Sequence, residues 1–184
     1  MKTLTFRYGT MISGKTSDLL SEAKNCELRG QKAVLCKPYI DDKWSKIIEA
    51  RTGNKKNVDI KIKLDTNLSM LCWDGVRLIL VDEAQFLSRK HVEELRALTI
   101  QEQIPVICYG LKTNFRGELF EGARVLLEMA DVIEELPTSC WYCDLKATHV
   151  LRLKGGTKEV EVEMPGEMNY APVCYKCWRE KYNH

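Results

Sequence analysis

Apolar and polar residues alternate with distinct periods along the first forty residues, and each period predicts one element. Residues 2–8 alternate with a period of two, which is typical of a strand. From Lys15 to Arg29 the apolar residues recur at helical spacing, and we expect Gly30 to end that helix. Residues 33–36 are a short apolar run that predicts a second strand. The connections are short, which favours a parallel pair in a strand–helix–strand unit.

The chain continues with further strands and helices, except in one segment without a clear period. Residues 39–76 are frequently Lys or Asp, and residues 52–57 predict a flexible loop. The later predicted elements are strands over 76–81, 105–109 and 132–136, a helix capped by Ser88 and a helix over 121–129. Alternating strands and helices predict an α/β fold with a mostly parallel sheet.

Composition and charge narrow the function classes. Of the 184 residues, 45% are hydrophobic and 29% are charged, a balance that excludes disorder. The net charge is only +2, which argues against nucleic-acid binding through a basic field. No run of about 18 apolar residues occurs, so the sequence predicts no membrane span. The first residues also lack the apolar segment of a signal peptide, and we therefore expect a cytoplasmic protein.

The eight cysteines divide into two groups. In a chain without an export signal we expect them to be mostly reduced. Four are scattered and are predicted to be small buried apolar residues: Cys26, Cys36, Cys72 and Cys108. The other four form two C-x-x-C pairs after Pro137, namely Cys140 with Cys143 and Cys174 with Cys177. We therefore divide the chain into an α/β domain over 1–136 and a smaller cysteine-bearing domain over 137–184.

Two C-x-x-C pairs can supply four thiolates in the tetrahedral geometry that suits Zn²⁺. Residues 144–173 separate the pairs, and this interval exceeds the zinc-ribbon spacing of about 15–20 residues, so we expect a protruding loop. A site closed by four thiolates has no open position, which makes the predicted zinc structural. The alternatives are a redox pair or no metal, but neither pair follows the strand of a thioredoxin-like unit.

The turn after the first strand carries a phosphate-binding motif. Residues Gly9-Thr10-Met11-Ile12-Ser13-Gly14-Lys15-Thr16 fit the pattern G-x-x-x-x-G-K-[ST], between a predicted strand and a predicted helix. The glycines let backbone N–H groups point inward at phosphate oxygens, and the helix N-terminus adds its positive dipole. Lys15 would contact the β- and γ-phosphates of ATP, and the Thr16 hydroxyl would bind Mg²⁺. The alternative is a glycine turn that matches by chance.

Two acidic residues follow the strand over 76–81. Asp82 and Glu83 come at its carboxyl end, the edge of an α/β sheet where ligands bind. We expect Asp82 to hold Mg²⁺, directly or through water. Glu83 would act as a general base or orient a nucleophile. The alternative is that both carboxylates simply begin a solvated loop.

Taken together, these motifs resemble the cytosolic-type (type II) thymidine kinases, a family with a P-loop core and a zinc-bound lasso. The resemblance runs over nearly the whole chain. It rests on residues 8–16, Lys37-Pro38 followed by Asp41, residues 81–86, residues 109–122, the two cysteine pairs and Tyr170.

The resemblance implies transfer of the γ-phosphoryl group of ATP to the 5′-hydroxyl of thymidine or deoxyuridine, with Glu83 as the base. It implies a small C-terminal zinc-ribbon-like lasso domain, whose lasso corresponds to residues 158–170. Three further roles are implied. Met11, Leu111 and Phe115 would pack against the base, Arg152 would approach phosphates, and Val160, Val162 and Tyr170 would line the lasso side of the pocket.

The resemblance also implies a homotetramer and feedback inhibition by dTTP. Three other functions stay open at this point. One is a P-loop ATPase whose zinc module binds nucleic acid, which the low net charge disfavours. Another is a non-catalytic nucleoside sensor, which would most simply lack Lys15 or Glu83. The third is a deoxynucleoside kinase with a broader substrate range.

Overall fold

A computed structural model describes residues 2–40, 45–153 and 169–182. The strands are β1 (Leu4–Tyr8), β2 (Lys32–Pro38), β3 (Ile47–Glu49), β4 (Lys55–Asn57), β5 (Ile60–Ile62), β6 (Val76–Val81), β7 (Val106–Gly110), β8 (Val132–Glu135), β9 (His149–Arg152) and β10 (Tyr170–Val173). The helices are α1 (Lys15–Leu28), α2 (Arg89–Gln101), α3 (Glu121–Met129) and α4 (Tyr175–Tyr182). Short 3₁₀ turns cover Leu68–Met70 and Ala84–Phe86.

Six strands form one parallel sheet in the order β5-β2-β6-β7-β1-β8. This confirms the predicted α/β class. Strands β6, β7 and β1 are neighbours in the centre of the sheet. Their carboxyl ends therefore lie at one edge, together with the phosphate loop that follows β1 and the acidic pair that follows β6.

Helices cover both faces of this sheet. Successive strand residues point to opposite sides, so each strand contributes to a buried cluster on either face. In β6, Leu80 packs with Leu19 and Leu20 of α1 in one buried cluster. Its neighbours Ile79 and Val81 belong to a second buried cluster, which includes apolar residues of α2 and α3. The core is thus a sheet between two helical layers, the arrangement that buries a parallel sheet.

The local predictions near this core agree well with the structure. Helix α1 ends at Leu28, and Gly30 adopts φ 68°, the left-handed conformation expected of a glycine after a helix. Ser88 caps α2, since its hydroxyl accepts a hydrogen bond from the His91 N–H.

Three predictions were wrong. Strands β1 and β2 are parallel but do not pair with each other, because β6 and β7 lie between them in the sheet. Half of the predicted loop over 52–57 is strand β4, which pairs in antiparallel fashion with β3. Its sequence, Lys55-Lys56-Asn57, carries no apolar residue, so periodicity could not reveal it. Cys72 is exposed, whereas Cys26, Cys36 and Cys108 are buried as predicted.

The cysteine-bearing segment forms a second, small assembly. Strands β9 and β10 pair in antiparallel fashion, and α4 follows β10 directly. A few residues form its buried cluster, among them Leu151, Val173 and three of the four cysteines. Within the described ranges, no helix combines the length and the apolar character needed to cross a membrane.

Candidate active site

The phosphate loop joins β1 to α1, and its two glycines are required for different reasons. A Cβ on Gly9 would lie 2.3 Å from Ser13 Oγ and 2.6 Å from the Leu136 carbonyl oxygen, so only glycine fits there. Gly14 has φ 81°, which is accessible to glycine without strain. Since the first N–H groups of a helix have no partners within it, the start of α1 can offer donors to a phosphate.

Lys15 lies inside this loop. Its Nζ donates hydrogen bonds to the carbonyl oxygens of Thr10 at 2.7 Å and Gly9 at 3.2 Å, and to Ser13 Oγ at 3.3 Å. Burial lowers the pKa of Lys15, while the nearby charges of Glu83 and Asp82 raise it. The lysine thus lies within electrostatic range of both acidic residues.

Asp82 and Glu83 follow β6, as the sequence predicts. Asp82 is buried, and its backbone N–H donates to the Cys36 carbonyl oxygen at 3.0 Å. Burial raises the pKa of Asp82 and the adjacent Glu83 raises it further, whereas Lys37 and Lys15 lower it. Lys37 is itself a buried cation at the end of β2, and the sequence analysis gave it no separate role.

Glu83 has an unusual backbone. Its φ of 51° and ψ of 37° place it in the left-handed region, which costs a residue with a side chain about 1–2 kcal/mol. The 3₁₀ turn that follows helps to hold this conformation, because the Phe86 N–H donates to the Glu83 carbonyl oxygen at 3.1 Å. The Gln85 side chain also donates from Nε2 to Glu83 Oε2 at 2.6 Å. Backbone strain of this kind is concentrated at functional sites.

Of the predicted nucleoside-binding residues, three lie together around Phe115, and Leu111 lies beside the phosphate loop. The rings of Phe115 and Tyr170 have centroids 6.4 Å apart, and the Arg152 guanidinium lies 5.6 Å from the Phe115 centroid. Leu111 lines a cleft with Gly9, Thr10 and Val150, among other residues. The cleft therefore joins the loop to the segment that begins at Leu111.

Other predicted residues are less well placed by the structure. Met11 and Ile12 are partly buried in the phosphate loop, and Thr16 lies in the first turn of α1. No contact to a nucleoside base follows from these positions. Val160 and Val162 lie outside the described residues.

The four cysteines of the two pairs converge, and their sulfur atoms all lie within 4.8 Å of one another. Cys143 Sγ is 3.7 Å from Cys174 Sγ and 3.8 Å from Cys177 Sγ. A tetrahedral zinc site with bonds of about 2.3 Å places its sulfur atoms about 3.8 Å apart. Although burial raises the pKa of the Cys140 thiol, hydrogen bonds with backbone groups lower it to about 6. The cluster thus fits a structural Zn²⁺ ion.

The cysteine assembly contacts the Phe115 segment through Trp178, a residue that the sequence analysis missed. In α4, directly after Cys177, Trp178 donates from Nε1 to the Phe115 carbonyl oxygen at 2.9 Å. A Cβ on Gly117 would lie 3.6 Å from the Trp178 ring. No sequence signal pointed to this contact, because its partners are 63 residues apart.

Helix α1 is fixed to the sheet by a polar network that the sequence analysis also missed. The Arg7 guanidinium donates to Asp18 and Glu22 at 2.8 Å and to the Tyr109 hydroxyl at 2.9 Å. The Tyr109 hydroxyl donates in turn to Asp18 at 2.8 Å. This network connects β1, β7 and the helix that begins at Lys15.

Comparison with known proteins agrees with this geometry. The family described as Thymidine kinase matches residues 2–178 of the chain. The chain belongs to the thymidine kinase family. It is 40% identical to a thymidine kinase of Listeria monocytogenes serotype 4b over 185 residues, which cover 96% of each chain. It is 38% identical to a thymidine kinase of Lactococcus lactis over 187 residues, again 96% of each chain. A thymidine kinase of Encephalitozoon cuniculi is 34% identical over 186 residues, covering 97% of this chain and 88% of the relative.

Proposed function

We propose that the protein is an ATP-dependent thymidine kinase of nucleotide salvage, which converts thymidine or deoxyuridine to its 5′-monophosphate. One observation carries the proposal: Glu83 lies in a left-handed turn directly after buried Asp82, at the carboxyl end of β6 and so at the same sheet edge as the phosphate loop. A carboxylate at this place can accept a proton beside bound ATP. Membership of the thymidine kinase family supports the same substrate.

In the proposed mechanism, the loop N–H groups and Lys15 bind the phosphates of ATP and compensate their negative charge. Glu83 accepts the proton of the 5′-hydroxyl as that oxygen forms its bond to the γ-phosphorus. The bond from the γ-phosphorus to the bridging oxygen then breaks, and ADP leaves. Thr16 and Asp82 would hold Mg²⁺, an ion that prefers oxygen ligands and neutralises charge on the phosphates.

We place the nucleoside on the side of Glu83 that faces away from the bound ATP phosphates. We assign Met11, Leu111 and Phe115 to packing against the base, and Tyr170 to the sugar or a phosphate. Arg152, whose guanidinium lies over the Phe115 ring, would approach the phosphates. Val160 and Val162 are proposed for the lasso side of the pocket by resemblance alone.

We propose that Cys140, Cys143, Cys174 and Cys177 bind a structural Zn²⁺ ion. The spacing of their sulfur atoms supports this role. The ion would stabilise the segment after Leu136, whose buried cluster is small. We retain the division into domains over 1–136 and 137–184 as part of the proposal.

A homotetrameric assembly and feedback inhibition by dTTP are proposed from the family resemblance. A cytoplasmic location and the absence of nucleic-acid and membrane partners are proposed from the charge and apolar content of the sequence. A broader deoxynucleoside kinase is the alternative function, and one observation favours it: Val150, which lines the cleft beside Leu111, has no hydroxyl to contact a base.

A substrate panel tests the proposal. Purified protein would be assayed with ATP and Mg²⁺ against thymidine, deoxyuridine, deoxycytidine and deoxyguanosine. We expect phosphorylation of the first two only. Turnover of all four would support the broader kinase, and ATP binding without phosphorylation of any nucleoside would contradict the enzyme function.

A further inference from the structure

The Gln85 side chain lies between the Glu83 turn and the segment that begins at Leu111. It belongs to the 3₁₀ turn over Ala84–Phe86, and only 2% of the residue is exposed. Its Nε2 donates to Glu83 Oε2 at 2.6 Å, and its Oε1 accepts from the Leu111 backbone N–H at 3.0 Å. One amide group thus contacts both the acidic turn and the start of the segment assigned to the nucleoside.

The chemistry of the two partners fixes the orientation of this amide. The Leu111 N–H can only donate, so the amide oxygen must face it. An ionised carboxylate can only accept, so the amide NH₂ group must face Glu83. A flipped amide would lose both hydrogen bonds inside a buried site, where unpaired polar groups are costly. Among standard side chains, glutamine is suited to this place because it carries a donor and an acceptor on one planar group.

Gly110 provides independent support, because it makes room for this amide. A Cβ at Gly110 would lie 2.7 Å from Gln85 Oε1 and 3.0 Å from the Gln85 backbone nitrogen. Gly110 lies outside the left-handed region, so close approach is what requires a glycine there. The end of β7 is therefore shaped around the Gln85 side chain.

We propose that Gln85 is a positioning residue that holds the Glu83 carboxylate in register with the segment starting at Leu111. This inference rests on the proposed function, because it takes Glu83 as the base and that segment as part of the nucleoside site. Gln85 acts through these two groups. The Nε2 contact fixes the carboxylate of Glu83 for proton transfer. The Oε1 contact fixes the position of the Leu111 backbone beside the nucleobase. A displacement of the segment that begins at Leu111 would therefore also displace the Glu83 carboxylate.

The experiment compares three proteins. Gln85→Met conserves an unbranched side chain but removes both polar contacts. Gly110→Ala leaves Gln85 intact but introduces the close Cβ. Thr99→Val is the matched control, since Thr99 is a fully buried polar residue whose hydroxyl hydrogen-bonds the Arg96 carbonyl oxygen in α2. Melting temperature and the KM for ATP show whether each variant is folded with an intact phosphate loop.

We expect Gln85→Met to lower kcat by roughly 10- to 100-fold, the range of a hydrogen bond to a charged group. The KM for thymidine should rise and the KM for ATP should not. Gly110→Ala should give the same pattern, and Thr99→Val should leave all three constants unchanged. A folded Gln85→Met or Gly110→Ala protein with the kcat of wild type would overturn the inference.

A double variant separates positioning from general destabilisation. The Glu83→Gln side chain keeps an acceptor oxygen for Gln85 but cannot act as a base. Adding Gln85→Met to Glu83→Gln should therefore lower kcat little further, because both changes affect the same proton transfer. If the kcat loss of the double variant equalled the product of the two single-variant losses, the proposal would be contradicted. A wild-type protein that phosphorylates no nucleoside would instead refute the proposed function itself.

Discussion

The phosphate loop lies on the central parallel sheet, whereas the Phe115 side of the site is held by the small cysteine assembly. Around the loop, β1, β6 and β7 are buried between helical layers, and the Arg7 network adds charged hydrogen bonds. Around Phe115, the visible supports are Trp178, Tyr170 and four sulfur atoms. The comparison shows that one half of the site is stabilised by apolar burial, whereas the other contains four clustered cysteines, for which we propose a metal. Changes in the two halves should therefore have separable effects.

The largest effect is expected from Lys15→Met in the sheet-based half. The variant removes the cation of the phosphate loop, so kcat should fall about 10²–10³-fold. Zinc content should stay at that of wild type, because the change lies outside the cysteine assembly. Steady-state kinetics with metal analysis checks this, with Lys24→Met on the exposed face of α1 as the control. Loss of zinc in Lys15→Met would show that the two halves are not separable.

The next effect should come from Cys174→Ser in the cysteine-bearing half. Losing this buried cysteine, a proposed zinc ligand, should reduce zinc content and raise the KM for thymidine at least about tenfold. ATP binding should persist, since the phosphate loop is stabilised by the sheet. Metal analysis and ATP titration test this beside Cys72→Ser, which changes an exposed cysteine. If Cys174→Ser abolished ATP binding, the sheet would depend on the cysteine assembly.

A smaller effect is expected from Trp178→Phe, which retains the aromatic ring but loses the hydrogen bond to Phe115. The KM for thymidine should rise about two- to tenfold, with kcat and zinc content unchanged. Trp141→Phe, an exposed position in the same assembly, is the control. An unchanged KM would mean that Trp178 does not connect the assembly to the nucleoside segment.

The smallest effect concerns how the stability of the cysteine assembly depends on pH. The residue responsible is His149, which packs against Tyr175 and Trp178. Burial, followed by the charge of Lys112, lowers the pKa of His149 below its ordinary value. The unfolded state therefore binds a proton at a higher pH than the folded state, and stability falls as the pH drops through about 6.5.

The His149→Phe variant should lack this contribution. Chelator resistance of zinc, measured from about pH 8 to pH 5.5, should fall more steeply in wild type than in His149→Phe. Cysteine protonation affects both proteins alike, so the difference between them isolates the histidine. Parallel curves would disprove the contribution of His149.

The sequence predicted the sheet-based half well because its signals are local. Signals within a few residues indicate three of its features. Periodicity indicates the strand over 76–81, a cap indicates the helix after Ser88, and a fixed spacing indicates the phosphate motif. Strand β4 was missed because it is entirely polar and exposed at its ends. The exposure of Cys72 was missed because composition alone cannot place a cysteine on a loop.

The residues that connect the halves were the hardest to predict. Gln85 is a polar residue between the apolar Ala84 and Phe86, and this contrast is a signal that could have drawn attention to it. Its partner Leu111 is 26 residues away, and Trp178 and Phe115 are 63 residues apart. Such contacts follow from tertiary packing, which hydrophobic periodicity does not encode. Local motifs therefore predict the chemistry, while the structure is needed to show what holds it in place.

The most direct test of the central claim is the chemical step in Glu83→Gln. Single-turnover transfer of phosphoryl from ATP to thymidine would be measured by rapid quench, beside Glu93→Gln, an exposed glutamate on α2. We expect a loss of about 10²–10⁴-fold in the rate for Glu83→Gln, with ATP affinity retained, and no loss for Glu93→Gln. A Glu83→Gln protein that transfers phosphoryl at the wild-type rate would contradict the role of Glu83 as the base.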